Sequence, residues 1–297
     1  HTLSLHDALP ISGTVTIFGK KSGHAPYEGE LSPESVARIM ESCGFSPAVH
    51  YSSVQPAPDL PPRPPILCAG CMHRPVFYAI KKVFRDGIYP SDIGCYTLGL
   101  QLGAVDTTIC MGASITVGSG FSHAGEERDI VATIGDSTFL HTGIPGLLNA
   151  VYNGANMTLV ILDNRTTAMT GHQPNPNTGC TACGGLSPQI SLEALCRACG
   201  VAHVEVVDPY DLVMLTAALK TAKSFPGVTV VIAKQPCVIT ARRAGVRRGK
   251  YRVDPDTCTG CGTCIKFGCP AIEQRDEKAW INDLCSGCAV CAQLCPA

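Results

Sequence analysis

The last forty residues carry eight cysteines in two runs, Cys258-x2-Cys261-x2-Cys264-x4-Cys269-Pro270 and Cys285-x2-Cys288-x2-Cys291-x3-Cys295-Pro296, and nothing else in the chain restricts its fold as tightly. Three thiolates at this interval close a loop over three irons of one cubane iron–sulfur cluster, while a more distant cysteine followed by proline ligates the other cube. The expected ligand sets are therefore crossed: Cys258, Cys261, Cys264 and Cys295 for one [4Fe-4S] cluster, and Cys285, Cys288, Cys291 and Cys269 for the other. A zinc ribbon pairs two C-x2-C knuckles and has no use for a third cysteine or a trailing proline. The x4 spacer before Cys269 departs from the usual three residues, lengthening one loop without removing a ligand.

Composition sets limits on the rest. A chain of 297 residues, 45% of them apolar, has room for one large domain and a small appendage. Net charge is only −1. With no basic stripe and no run of eighteen apolar residues, neither nucleic acid nor a membrane is an expected partner. Eighteen cysteines concentrated in cluster-type motifs point to a reducing, anaerobic cytoplasm rather than to a disulfide scaffold.

Residues 1–12 resemble the in-frame translation of a sequencing-library adapter and are set aside, with the natural protein expected to extend upstream. Residues 13–65 read as the remnant of a preceding domain, with a short apolar stretch at Val15–Phe18 and a helix opening at Ser32-Pro33-Glu34-Ser35. They end in an extended linker, Gln55–Pro65, that holds six prolines in eleven residues. From 66 to 245 apolar runs alternate with helical segments. Strands are expected at Ile130–Ile134, Met157–Leu162, Val204–Val207 and Val228–Ala233, and helices at Gly143–Gly154 and Pro209–Ser224. That alternation makes an α/β domain with a parallel sheet covered on both faces, whose ligands bind beyond the carboxyl ends of the strands. A basic connector, Gly245–Lys250, leads into the cysteine-rich module at 246–297, a small α+β unit.

Two of those strand ends carry oxygen-bearing corners. Gly135-Asp136-Ser137 closes one and Asp163-Asn164 the next. The pair resembles the thiamine-diphosphate signature, Gly-Asp-Gly followed by Asn-Asn, with serine and aspartate as departures. The resemblance implies that Mg2+ is held by Asp136, the Asn164 side chain and the Thr166 main-chain oxygen, a hard-oxygen set that suits an octahedral ion. Gly135, Ser137 and helix-terminal amides would then meet the diphosphate. Together with Cys68-Ala69-Gly70-Cys71-Met72-His73-Arg74, Asp92-Ile93-Gly94-Cys95-Tyr96-Thr97, Cys110-Met111-Gly112-Ala113-Ser114 and the paired ferredoxin-like module, these corners resemble the 2-oxoacid:ferredoxin oxidoreductase family, specifically its indolepyruvate-oxidising alpha subunits, over residues 13–297.

The resemblance implies an enzyme subunit that decarboxylates arylpyruvates oxidatively to aryl-acetyl-CoA and reduces ferredoxin. A beta subunit, coenzyme A and a glutamate on a separate pyrimidine-binding domain would also be needed, so this chain alone is expected to be inactive. It also implies a third [4Fe-4S] cluster near the thiazolium, on Cys68, Cys71, Cys95 and Cys237, with buried inert thiols as the alternative. Gly112, His73 and Arg74, which adjoin these motifs, join the expected cofactor-binding set, whereas His123 does not. Cys180/Cys183 and Cys196/Cys199 invite a zinc reading, yet the second pair lies on an amphipathic helix ending at Gly200, where cysteine packs. Two rival functions stay open. One is a non-redox thiamine decarboxylase acting on sulfopyruvate or phosphonopyruvate, which needs no terminal cysteines. The other is an electron-transfer subunit whose sheet is only a platform.

Overall fold

In the computed structural model, residues 18–46 and 60–297 are described. The expected adapter-derived tail, most of the Val15–Phe18 stretch and the first part of the proline-rich run lie outside them. The chain divides into two compact units, His1–Arg63 and Pro64–Ala297. In the first, helix α1 (Pro33–Ser42) begins where Ser32 Oγ accepts from the Ser35 amide at 3.3 Å, with proline in the first turn where no amide is missed, and none of its residues is buried.

The second unit is built on four parallel strands, β3 (Val131–Gly135), β4 (Met157–Asp163), β5 (His203–Val207) and β6 (Val228–Lys234), ordered β3-β4-β6-β5. A two-stranded parallel piece, β1 (Pro90–Ser91) with β2 (Thr107–Thr108), precedes them. The sheet strands read as near-continuous apolar runs because both faces are covered. Val131, Val160, Leu162, Val231 and Ala233 face one core with helices α2 (His73–Val83) and α7 (Leu212–Ser224). Ala132, Ile134, Leu159, Ile161, Val230 and Ile232 face the other, with α3 (Ala113–His123), α5 (Ile144–Tyr152) and α6 (Leu192–Ala198). Each fully buried valine, leucine or isoleucine among them contributes roughly 1.5–3 kcal/mol. The four strands were legible within a residue at most ends. Ile130, expected in the first, instead makes an isolated parallel bridge to Ile88. The helix expected at Gly143–Gly154 is shorter, but the helical path starts earlier. It opens at α4 (Asp136–Thr138), passes through a π turn at Phe139–Gly143 and continues as α5.

After β6 the chain forms α8 (Val238–Arg243) and then the cysteine-rich module, with α9 (Thr263–Lys266), an antiparallel hairpin of β7 (Ile272–Arg275) and β8 (Lys278–Ile281), and α10 (Val290–Leu294). Asp276 and Glu277 both take positive φ at the hairpin tip, as a two-residue turn matching the strand twist requires. The module shares the core of the sheet domain. Phe267 is 6% exposed, meets Tyr78 edge-on at 5.9 Å, and Val290 is fully buried beside it. The unusual x4 spacer accounts for this docking, since it carries Phe267 into the core and then turns at Gly268 with φ +74. Among the described residues no helix is long and apolar enough to cross a membrane.

Phe267→Ala is expected to cost about 3–5 kcal/mol of unfolding free energy by opening a cavity at this junction. Denaturant titration checks it, and a loss below about 1 kcal/mol would show that the module is held by something else.

Candidate cofactor and cluster sites at the sheet tips

Strand β3 stops at Gly135, and helical backbone starts at the next residue, so Asp136 stands at the carboxyl edge of the sheet and is 1% exposed. Glycine is required at 135 because a Cβ there would come 2.7 Å from the Tyr96 ring. The Tyr96 hydroxyl donates to Asp92 and lies 3.1 Å from Thr138 Oγ1. The other Asp92 oxygen accepts from the Gly112 amide at 3.0 Å and from Ser114 Oγ at 2.9 Å. Asp92 therefore ties the start of α3 to the helical turn that carries Asp136. Gly112 has φ +84, and a side chain there would overlap Thr142 Oγ1. Asp92 and Tyr96 fall within a sequence motif whose spacing alone assigns them no role. The available signal was a lone aspartate four residues before an aromatic.

The second corner is one strand over. Because Gly135 pairs with Leu162, Asp163 and Asn164 emerge beside Asp136. Burial, and secondarily the charge of Asp163, push the Asp136 carboxyl up to about 6. Burial likewise raises Asp163, with Arg165 opposing. Asn164 Oδ1 accepts from the Thr166 amide at 3.1 Å, making a tight turn through Arg165 at φ +60, and Asn164 and Thr166 are both buried. The two departures from the thiamine signature have structural work. Ser137 Oγ lies 2.7 Å from Thr167 Oγ1, and Asp163 accepts from Asn177 Nδ2 at 2.7 Å, so both anchor the loop that follows β4. That loop returns Asn175, whose Nδ2 donates to Asp136 at 3.1 Å. Sequence reading missed Asn175 and Asn177 because a polar residue in a long loop gives no periodic signal.

The thiols gather in three groups. Cys258, Cys261, Cys264 and Cys295 line one cavity of about 270 Å³, which Cys291 also touches. Cys269, Cys285, Cys288 and Cys291 line a tighter one of about 20 Å³. Around the sheet tip, burial raises the Cys71 thiol to about 12 and Cys95 to about 11, and the neighbouring charges of Cys68 and Cys237 push both in the same direction. Cys68, Cys71, Cys95 and Cys237 are thus electrostatic neighbours, and the Cys71 amide donates to the Cys68 carbonyl at 3.1 Å. Among the described residues no three His, Cys, Asp or Glu side chains converge on a single-ion site. Cys196 and Cys199 are packed in the core instead, apart from the exposed Cys183. His73 is buried and held near 4 by burial, hence neutral, with Nδ1 3.2 Å from Cys71 Sγ and Nε2 lacking a partner. Arg74, expected beside the diphosphate, turns elsewhere. Its Nη2 donates to the Leu67 carbonyl at 2.6 Å, and its Nη1 lies against Gly268 of the module. His123 ends α3 on the exposed side.

Comparison with known proteins relates the sheet domain to thiamine-diphosphate enzymes. The family described as thiamine pyrophosphate enzyme, C-terminal TPP binding domain, matches residues 92–233. The indolepyruvate oxidoreductase subunit IorA of Archaeoglobus fulgidus is 47% identical over 96% of this chain and 48% of its own length. The subunit of the same name from Thermococcus kodakarensis is 43% identical over 95% of this chain and 48% of its own length. A solved 2-oxoglutarate:ferredoxin oxidoreductase from Magnetococcus marinus shares the fold, with a TM-score of 0.54 at 20% identity over 59% of this chain and 65% of that one. The chain spans about half the length of the curated relatives it matches. Within that span, the chain is similar along nearly every residue to indolepyruvate oxidoreductase subunits IorA, with a thiamine-pyrophosphate-binding domain at its sheet.

Proposed function

We propose that the chain supplies the diphosphate-binding part of a thiamine-diphosphate site, and three iron–sulfur centres leading from it, in an oxidoreductase that converts arylpyruvates such as indolepyruvate to aryl-acetyl-CoA, carbon dioxide and reduced ferredoxin. The observation that carries the reading is adjacency. The Asn164 carbonyl accepts from the Cys237 amide at 2.9 Å, so a main-chain hydrogen bond joins the expected metal corner to the first cysteine group. From that group Gly70, between Cys68 and Cys71, packs so closely on the module that a Cβ would overlap Ser286 Oγ and lie 3.8 Å from Cys288 Cβ. Cys291 borders both module cavities. The seats thus run in series from the sheet tip through Cys269, Cys285, Cys288 and Cys291 to Cys258, Cys261, Cys264 and Cys295.

The donor sets fit the groups they would hold. Asp136 is a buried carboxyl with no protein cation among its ion pairs in the described residues, and hard oxygens of Asn164 and Thr166 stand beside it, which suits Mg2+. The thiols are soft donors in cubane-type spacing, which suits iron–sulfur clusters. Bound thiamine diphosphate supplies the carbanion chemistry of decarboxylation. The residues of this chain do the rest of the local work. Asp136, Asn164 and Thr166 would hold the metal, Gly135 and Gly112 leave room at the helix starts, and Asp92 with Tyr96 fixes both elements. The cysteine groups would take the two electrons one at a time.

A non-redox decarboxylase has no use for twelve thiols in three groups, and a pure electron carrier has none for two buried carboxyls at a sheet tip. The relatives are named as subunits, which supports a beta subunit as partner, with ferredoxin and coenzyme A as the other partners. The eighteen free cysteines support a reducing cytoplasm.

Two experiments test this. Because the folded-state pKa of Asp136 is raised from 3.8 to about 6, its contribution to stability is intact below pH 3.8 and is lost as pH rises through 6. At pH 8 the charged carboxylate therefore destabilises the ligand-free protein by on the order of 3 kcal/mol. Asp136→Asn is expected to raise the melting temperature at pH 8, change little at pH 4, and abolish the stabilisation given by Mg2+ with thiamine diphosphate. Retained ligand stabilisation in this variant would remove Asp136 from the metal site. Separately, Cys237→Ser is expected to lower the iron content after anaerobic reconstitution by about four atoms per chain. Unchanged iron would leave the sheet-tip thiols as inert packing.

A further inference from the structure

Arg74 is the second residue of α2, three positions after Cys71, and is 4% exposed. A guanidinium stays charged in proteins, and removing a charge from water costs several kcal/mol unless an anion compensates it. No carboxylate does so here, since no ion pair among the described residues involves Arg74. Its side chain makes one hydrogen bond there, to the Leu67 carbonyl immediately before Cys68, and its Nε is buried with no partner. The opposite edge faces the module, where a Cβ on Gly268, immediately before Cys269, would lie 3.3 Å from Nη1. The groups around this cation are therefore cysteines from both sides of the junction. Burial lowers the Arg74 pKa, and the charges of Cys269, Cys71, Cys68 and Cys288 oppose it, in that order. Two of these belong to the sheet-tip group and two to the nearer module group. None belongs to the outer group of Cys258, Cys261, Cys264 and Cys295.

We infer that Arg74 is the shared counter-cation of two iron–sulfur centres, one on Cys68, Cys71, Cys95 and Cys237 and the other on Cys269, Cys285, Cys288 and Cys291. The inference rests on the three-centre reading above. A thiolate-ligated cube gains negative charge when it takes up an electron, so a fixed buried cation between two cubes favours the reduced state of each. Arg74 thereby raises both reduction potentials relative to the outer centre, and it stabilises an electron at the sheet tip as it leaves for the module. Arg74 is a positioning and charge-setting residue that touches no substrate. The cation also explains itself: the charge that no carboxylate balances is balanced by the clusters.

The test is a redox titration monitored by electron paramagnetic resonance on the anaerobically reconstituted holoenzyme, with iron counted in the same samples. The outer centre is assigned by its loss in Cys258→Ser. Wild type is expected to hold about twelve irons on this chain. In Arg74→Gln two midpoint potentials should fall while the outer one stays put, and Arg74→Lys, which keeps the charge, should restore most of the shift. If the glutamine variant cannot retain both inner centres, loss of iron confined to them is the same result in stronger form. Unchanged potentials at full iron content, an equal shift at all three centres, or iron loss spread over all three would overturn the role of Arg74. Fewer than about twelve irons in wild type would instead overturn the three-centre reading beneath it.

Discussion

Uncompensated charge in a water-excluded place governs this structure. At the carboxyl edge of the sheet, Asp136 and Asp163 sit buried side by side, and burial together with their mutual repulsion disfavours ionisation of the first. Across the junction with the module, the Arg74 guanidinium is buried with no carboxylate partner among the described residues. A protein selected for stability alone would replace such groups by apolar ones at little cost. Their presence is intelligible under the proposed function, in which the missing counter-charges would arrive with the cofactors: a divalent cation with a diphosphate at the first place, and anionic iron–sulfur cubes at the second. Under the proposed function, stability would be given up locally and recovered on loading, as is common at functional sites.

The scaffold that tolerates this is conventional. Four parallel strands, the three successive neighbours β3, β4 and β6 buried on both faces, give a rigid edge, and strand register alone sets Asp136 beside Asp163 and Asn164. The same register carries Gln235 and Cys237 past the β4 tip, where their amides donate to the carbonyls of Asp163 and Asn164. A ligand corner and a thiol are thereby fixed relative to one another by main-chain hydrogen bonds, which hold position better than side-chain contacts do. Phe267 and Val290 then bind the cysteine-rich module into the same core, so the spacing between cysteine groups is set by packing.

Much of this was readable in the chain because its signals are local. The Cys-x2-Cys runs, the apolar strands and the Gly-Asp and Asp-Asn corners each fall within a few residues, and the strands and both corners lie at the sheet edge where their sequence puts them. What escaped reading depends on contacts distant in sequence. Asn175 reaches Asp136 from 39 positions away, and Tyr96 reaches Thr138 from 42. The π turn at Phe139–Gly143 has no periodic signature, and it lies where Gly143 passes close to Ile134 and Phe139. Arg74 adjoins a motif in the sequence, yet its side chain reaches the Leu67 carbonyl and lies against Gly268 of the x4 loop, contacts that no local pattern announces. The spacer that looked like a tolerated irregularity in the sequence is the feature that docks the module.

The central claim is that one polypeptide seats a diphosphate corner and three iron cubes in unbroken series. An anomalous-scattering map at the iron edge, from crystals of the reconstituted holoenzyme with Mg2+ and thiamine diphosphate, tests it most directly. Three iron peaks are expected, the middle one among Cys269, Cys285, Cys288 and Cys291, with the cofactor diphosphate against Asp136 at the end nearest Cys237. An iron-free group at Cys68, Cys71, Cys95 and Cys237, or a diphosphate bound away from Asp136, would contradict it.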